Sequence, residues 1–372
     1  MIYLDYAANT PVDKEVLNNY MEITNKYIAN PNSSHPIGLE AKSVIDESSR
    51  YIANYFKTSL ESVIYTSGSS ESNNLVIKGI AEYKKDKGKH IIISSIEHSS
   101  IVAPCNYLAN QGYEITVLPL TKEGKVDLEV LKKSLKDDTI LVSICTVDSE
   151  LGTIQPIKEI SDIVSLYPNC SFHTDATQAI GKIDMDYTGC DFITFAPHKF
   201  YGLNGMGVLI NRHNQKLIPL IHGGRSTTIY RSGTPVTANA TSTAKALYLA
   251  TTNLQERFNY IINLKKYLIK ELEMMSDIHI NSPVNSIPNI LNLSFLTINN
   301  QDFVNKLIEK EIYLSTTSAC SLKNIPSKSV LAITGSKELA SNSLRISLSH
   351  LTTKDEIDKF LQEFQRIYKE LS

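Results

Sequence analysis

No run in this sequence approaches the ~20 consecutive apolar residues that cross a bilayer. The N-terminal stretch MIYLDYAANTP has no basic segment leading into an apolar one. Neither a membrane span nor a secretory signal is expected, and the reading is a cytoplasmic protein. Cysteine is scarce: there are five, at 105, 145, 170, 190 and 320, an odd number with no Cys-x-x-Cys pair. That excludes a disulfide framework and a zinc site, fits a reducing compartment, and leaves no metal expected. Excess charge of either sign is also missing. With 37 Lys and Arg against 39 Asp and Glu the net charge is −2, so no broad basic face for direct nucleic-acid binding is expected.

What is present describes a globular protein. The 372 residues, 42% apolar and 20% charged, suffice for two domains with sizeable cores. Seven β-branched runs recur: SVIYT (62–66), HIIISS (90–95), EITVLPL (114–120), TILVSICTV (139–147), SFHTD (171–175), DFITF (191–195) and GVLI (207–210). Most are separated by helix-length segments, which predicts an α/β domain with a mostly parallel seven-stranded sheet over 15–255. From 256 the pattern changes to a long helix, PNILNLSFL, a helix around 301–310, the alternating SLRISLS and a terminal helix opened by a Thr353–Glu356 capping box. This reads as a smaller α+β domain, 256–372, with residues 1–14 assigned to it. Cys105, Cys145, Cys170 and Cys190 lie in or beside apolar runs and read as small, buried and inert.

Polar residues stand just past four of the strands. In YTSGSSESNNLVIKG (65–79) a strand, a glycine and Ser69-Ser70 lead into a helix. The free N–H groups there make a phosphate cup, where the plain alternative is an N-cap. Asp175 ends an apolar strand, where a carboxylate needs a cationic partner, and Gln178 follows three residues on. His98 and Lys199 each follow a strand end. In open parallel sheets ligands bind at the carboxyl ends of the strands, so four such residues at one edge favour a site over four unrelated caps. An amine, a carboxylate for a ring nitrogen, a ring for stacking and a phosphate cup are what pyridoxal phosphate needs.

The same stretches carry a resemblance. YLDYAANTPVD (3–13), NPNSSH (30–35), TSGSSESNNLVIKG (66–79), EHSSIV (97–102), HTDATQAIGK (173–182), HKFYGLNGMG (198–207), RSGTP (231–235), PNILNLSF (288–295), TSACS (317–321) and SLRISLSHLT (343–352) span nearly the whole chain. In this order the chain resembles the cysteine desulfurases of the NifS/IscS type, group I, within the class V aminotransferase superfamily of PLP fold type I. The resemblance implies that Lys199 is the lysine linked to the cofactor and Asp175 the partner of its ring nitrogen. His98 is then the stacking, proton-handling histidine and Gln178 the donor to the phenolate oxygen. Ser69, Ser70 and His198 become phosphate ligands. Thr234 becomes a phosphate ligand given to a neighbouring subunit, hence a homodimer. Ser149 stands near the cofactor. Arg345 becomes the clamp for the substrate α-carboxylate, a bidentate task suited to arginine, with Asn30 beside the substrate. Cys320, in the polar segment LSTTSACSLKNIPSKS, resembles the cysteine that takes the substrate sulfur as a persulfide, for which its thiol needs activation or a proton acceptor. The implied reaction turns L-cysteine into L-alanine and passes sulfur to an acceptor protein, an iron–sulfur scaffold or a tRNA thiolation enzyme.

Four departures from the family pattern stand out. Asp148 and Ser149 replace the usual paired asparagines, and Ala196 replaces a phosphate-binding serine. GGRSTTI (223–229) replaces GGGQERG, and Gly202-Leu203-Asn204-Gly205 replaces Gly-Pro-Lys-Gly. They bear on cofactor affinity and substrate choice. Two other readings therefore stay open here: another PLP-dependent C–S or C–Se lyase, including a pathway-specialised desulfurase, and a weakly catalytic sulfur-relay or scaffold protein.

Overall fold

The computed structural model describes residues 1–316 and 326–372. After a two-residue strand, β1 (Ile2–Tyr3), the seven β-branched runs become β2 (Val63–Thr66), β3 (His90–Ser94), β4 (Glu114–Leu118), β5 (Thr139–Ser143), β6 (Ser171–Asp175), β7 (Phe192–Phe195) and β8 (Gly207–Asn211). They form one sheet in the order β2-β8-β7-β6-β5-β3-β4. β8 runs antiparallel to both its neighbours and the other pairings are parallel. The carboxyl ends of β2, β7, β6, β5 and β3 therefore share one edge.

Both faces of this sheet are covered, which is why its strands read as continuous apolar runs rather than as alternating ones. Ile91, Ile93, Leu141 and Leu209 pack on one face, with Leu75, Val76 and Ile80 of the helix Ser69–Tyr83. Ile92, Val142, Phe172, Ile193 and Val208 pack on the other. The run 139–147 is only partly strand. β5 stops at Ser143, although Ile144 and Thr146 still donate to the carbonyls of His173 and Asp175 at 3.0 and 2.9 Å. That carries the chain out to the carboxyl edge.

A second, antiparallel sheet places β10 (Ile290–Phe295) between β9 (Ile278–Ile280) and β12 (Ser343–Ser347). Leu344 and Ile346 face a core shared with Phe295, Phe303, Phe360 and Phe364. The expected capping box opens the terminal helix Lys354–Leu371, with Thr353 and Glu356 bonding reciprocally. β11 (Ile312–Tyr313) pairs in parallel with β1.

Residues 2–10 run between the two sheets. Ser347 N–H donates to Leu4 O at 2.8 Å and Ala7 N–H to Ser347 Oγ at 2.9 Å. Thr10 N–H and Oγ1 both donate to His198 O, at 3.1 and 2.9 Å. This segment forms one wall of the site described next. No helix among the described residues is long and apolar enough to cross a membrane.

Candidate active site

Each expected strand-end residue is aimed by the element that carries it. Asp175 is the last residue of β6, and Lys199 closes a single 3-10 turn, Pro197–Lys199, after β7. His98 is the N-cap of the helix Ser99–Ala109. Ser69 and Ser70 open the helix Ser69–Tyr83, whose first-turn N–H groups have no preceding turn to bond. Gly207 lets this cup pack down. A Cβ there would lie 2.3 Å from the carbonyl carbon of Gly68. Lys199, Asp175, His98, Gln178, His198, Ser69, Ser70, Ser149 and Arg345 all line one cavity of about 300 Å³.

The carboxylate of Asp175 is held from both sides. Oδ2 accepts from Asn73 Nδ2 at 2.8 Å and Oδ1 from Thr177 N–H at 3.0 Å. Asn73 also donates to Ser100 Oγ at 2.9 Å, and Ser100 Oγ meets His98 Nδ1 at 2.8 Å. Asp175 and the His98 ring are thus fixed by one network. Lys199 Nζ donates to the backbone carbonyls of Ala7 and Ala8, at 2.9 and 2.5 Å. Arg345, 1% exposed, donates from Nη2 to Asp5 at 2.8 Å and from Nη1 to Ser149 O at 3.0 Å, while its buried Nε has no partner. The polar face of SLRISLS is therefore interior, and Arg345 is no solvated strand residue.

Burial sets the charge pattern. His98 is held below its ordinary value mainly by burial, with Lys199 pushing the same way against Asp175. Burial, with Lys199 and Lys182 nearby, pushes His198 down to about 4, so its ring is neutral. Glu97, 4% exposed, is pushed up to about 8 by burial, and the charge of Asp175 adds to this. At neutral pH Asp175 therefore stands beside a protonated neighbour. Cys145 is buried, as expected, and burial followed by Glu97 pushes its thiol well above the usual range. It also forms part of the cavity wall, which its apolar run did not reveal. Asp148, pushed up to about 7 by burial and by Glu150, accepts from Ser329 Oγ at 2.9 Å and faces away from the cavity lining.

Two expected site residues lie elsewhere. Asn30 is exposed, its Oδ1 accepting from Asn32 N–H at 2.9 Å, and it does not line the cavity. Thr234 is exposed beside a second cavity of about 150 Å³, which shares Ser67 with the first. Cys320 lies outside the described residues. Asp5, the carbonyls of Ala7 and Ala8, Asn73, Thr177 and Glu97 join the site without having been singled out. Only Asn73 had a readable signal, since it stands four residues after Ser69 and so on the same helix face.

These residues fit pyridoxal phosphate on their own chemistry. A buried carboxylate with its neighbouring acid protonated suits a pyridinium nitrogen. A helix start with two serines and a neutral histidine suits a phosphate, and an amine stands on the same cavity wall. Thr177 Oγ1, on the cavity wall and buried with no partner, offers a further hydroxyl.

Comparison with known proteins agrees. A protein named cysteine desulfurase IscS from Dictyoglomus turgidum is 40% identical over 375 residues, covering 100% of this chain and 95% of that protein. A solved structure described as a NifS-like protein superposes with a TM-score of 0.93 at 32% identity, covering 100% of both chains. Another, described as SspA in complex with cysteine, gives a TM-score of 0.83 at 31% identity, over 95% of this chain and 100% of that one. Residues 2–360 match the family described as aminotransferase class-V, and with relatives this similar along its whole length the chain belongs to that pyridoxal-phosphate-dependent family.

Proposed function

We propose that the protein is a cysteine desulfurase, converting L-cysteine to L-alanine and leaving the sulfur on Cys320 as a persulfide. The observation that carries this is the convergence of Lys199, Asp175, His98, Gln178 and Arg345 on one cavity, in a chain 40% identical to a protein named as such a desulfurase. When bound, the cofactor supplies an electron sink for breaking bonds at the substrate's α-carbon. Asp175 would hold its ring nitrogen, Gln178 its phenolate side, and Ser69, Ser70 and His198 its phosphate. Arg345 binds the substrate carboxylate and sets the face it presents. The amine of Lys199, drawn to the carbonyls of Ala7 and Ala8, is placed to move protons at the α-carbon, and the His98 ring, held neutral by burial, can accept one. Cys320 takes the sulfur. Its S–H and the substrate's C–S bond are exchanged for an S–S bond and a new C–H bond, so cysteine plus thiol becomes alanine plus persulfide with no outside oxidant.

We also propose a homodimer in which Thr234 and its neighbours complete the partner's phosphate site. Arg231, on the same cavity wall as Thr234, pairs with Glu71 of the cup helix at 3.0 Å. Leu17, Met21, Ile37 and Leu39 are exposed on the helices Lys14–Lys26 and Pro36–Tyr55. The division into a domain of 15–255 and one of 256–372 with 1–14 is supported by the seven-stranded sheet of the first and the three-stranded sheet of the second. A protein acceptor for the sulfur and a cytoplasmic location belong to the same reading.

Cys320→Ser tests it. The variant should still load cofactor and bind cysteine, because the described site is untouched, but release no alanine. Wild type treated with cysteine should gain one sulfur on the Cys320 peptide, removable by reductant. Wild-type turnover in the variant would favour a direct lyase instead, and added sulfur on another cysteine would take the persulfide role away from Cys320.

A further inference from the structure

Gln178 has an amide with two unlike ends, and both are committed. Nε2 donates to Ala7 O at 2.9 Å, and Oε1 accepts from Lys182 Nζ at 2.5 Å. Reversing the amide would set oxygen against the Ala7 carbonyl and an NH₂ group against an amine. Gln178 is 7% exposed, so a reversed amide would leave its oxygen and the accept-only Ala7 carbonyl facing each other, unpaired away from water. The same Ala7 carbonyl accepts from Lys199 Nζ at 2.9 Å. Contacts thus run from Lys182 through Gln178 and Ala7 to Lys199.

The turns after β6 bring Lys182 there. Ile180 N–H bonds Ala176 O and Lys182 N–H bonds Ala179 O, both at 3.0 Å. Gly181 sits at φ +74°, where a Cβ would lie 2.8 Å from Ala250 Cβ and 2.9 Å from Phe200 Cβ. Lys182 and Lys199 both line a further cavity of about 20 Å³. Among the described residues no acid neutralises Lys182; the charged neighbours that act on it are Lys199 and Arg345, and His198 lies close enough to feel it. Burial and those cations hold its amine well below the usual lysine range. A neutral amine still donates N–H to Gln178 Oε1, so the contact survives loss of the charge while the Ala7 carbonyl, which can only accept, holds Nε2 at the other end.

We propose that Lys182 is a positioning residue: it fixes which end of the Gln178 amide faces the cofactor cavity and, through Ala7, steadies Lys199. This rests on the pyridoxal phosphate reading of the site. The test loads wild type, Lys182→Met, Gln178→Ala and the double variant with pyridoxal phosphate. It measures cofactor dissociation and the pH dependence of the visible absorbance band. Lys182→Met should loosen the cofactor about tenfold, the worth of one part-buried hydrogen bond left unmade on the buried Gln178. Its band should shift with pH in the same direction as that of Gln178→Ala, and the double variant should be no worse than Gln178→Ala alone. Lys182→Gln keeps an N–H donor without a charge and should behave as wild type, which keeps the test open if Lys182→Met does not fold. Additive losses in the double variant, a Lys182→Met indistinguishable from wild type, or a Lys182→Gln that matches Gln178→Ala would overturn the inference alone. A wild type that takes up no cofactor would remove the reading beneath it as well.

Discussion

At Arg345 the chemistry depends on a single guanidinium with several directions to serve. Asp5 takes one edge and the carbonyl of Ser149 another, which holds the group rigid at the cavity wall. On the proposed function its remaining N–H groups are the ones that would meet the substrate carboxylate. Arg345→Ala should therefore raise KM for cysteine about 30-fold or more, since losing a desolvated charge pair costs ~2–5 kcal/mol. The cofactor absorbance should be little changed. Steady-state kinetics with cofactor loading checked by spectrum decides it. An unchanged KM would mean that Arg345 serves only Asp5 and the Ser149 carbonyl.

At the scale of elements, the proposed phosphate cup depends on β8 and the turn before the helix Ser69–Tyr83 approaching at backbone distance. Gly207 pairs with Thr66 at the end of β2, directly beneath Gly68. Gly207→Ala forces the two apart, an overpacking that costs about 1–3 kcal/mol. It should also loosen cofactor retention by moving the N–H groups of Ser69 and Ser70. Thermal melting with and without added cofactor checks both parts. A variant that melts lower and yet retains cofactor as wild type would detach the cup from the phosphate.

For the molecule as a whole, one buried amine ties the two sheets' surroundings together. Lys265, 4% exposed, donates to Ser286 Oγ at 2.7 Å and Ile287 O at 2.9 Å, and Ile287 N–H bonds Gly152 O at 2.8 Å in the turn beyond β5. Burial pushes its amine from 10.5 down to about 7. The folded state thus binds fewer protons than the unfolded one between those values, and stability rises with pH through that window. The burial cost is full below about 7 and gone above about 10.5. Lys265→Met should therefore stabilise the protein most at and below pH 7, with the gain shrinking as the pH rises. Denaturant melts of both proteins at several pH values measure the difference. A gain independent of pH would show that the amine is charged in the fold or already neutral in both states.

Much of the site was legible before any tertiary contact was known. Asp175, His98, Lys199 and Ser70 each follow an apolar run, and in a mostly parallel sheet that alone places them on a common edge. The seven strands and the terminal helix were legible for the same reason: local periodicity and capping report burial along the chain. By periodicity Arg345 was legible only as a member of the polar face of β12, and it was the resemblance that implied a substrate clamp. Alternation separates two faces but does not say what covers the second, and residues 2–10 turn it into an interior. Those residues supply Asp5 and the carbonyls of Ala7 and Ala8, which meet partners at 345 and 199. A backbone carbonyl leaves no mark in a side-chain pattern, and a pairing across that separation has no period. The sequence by itself determined which groups stand at the strand ends. Tertiary structure alone decided which are desolvated, what holds them, and so the charge each carries.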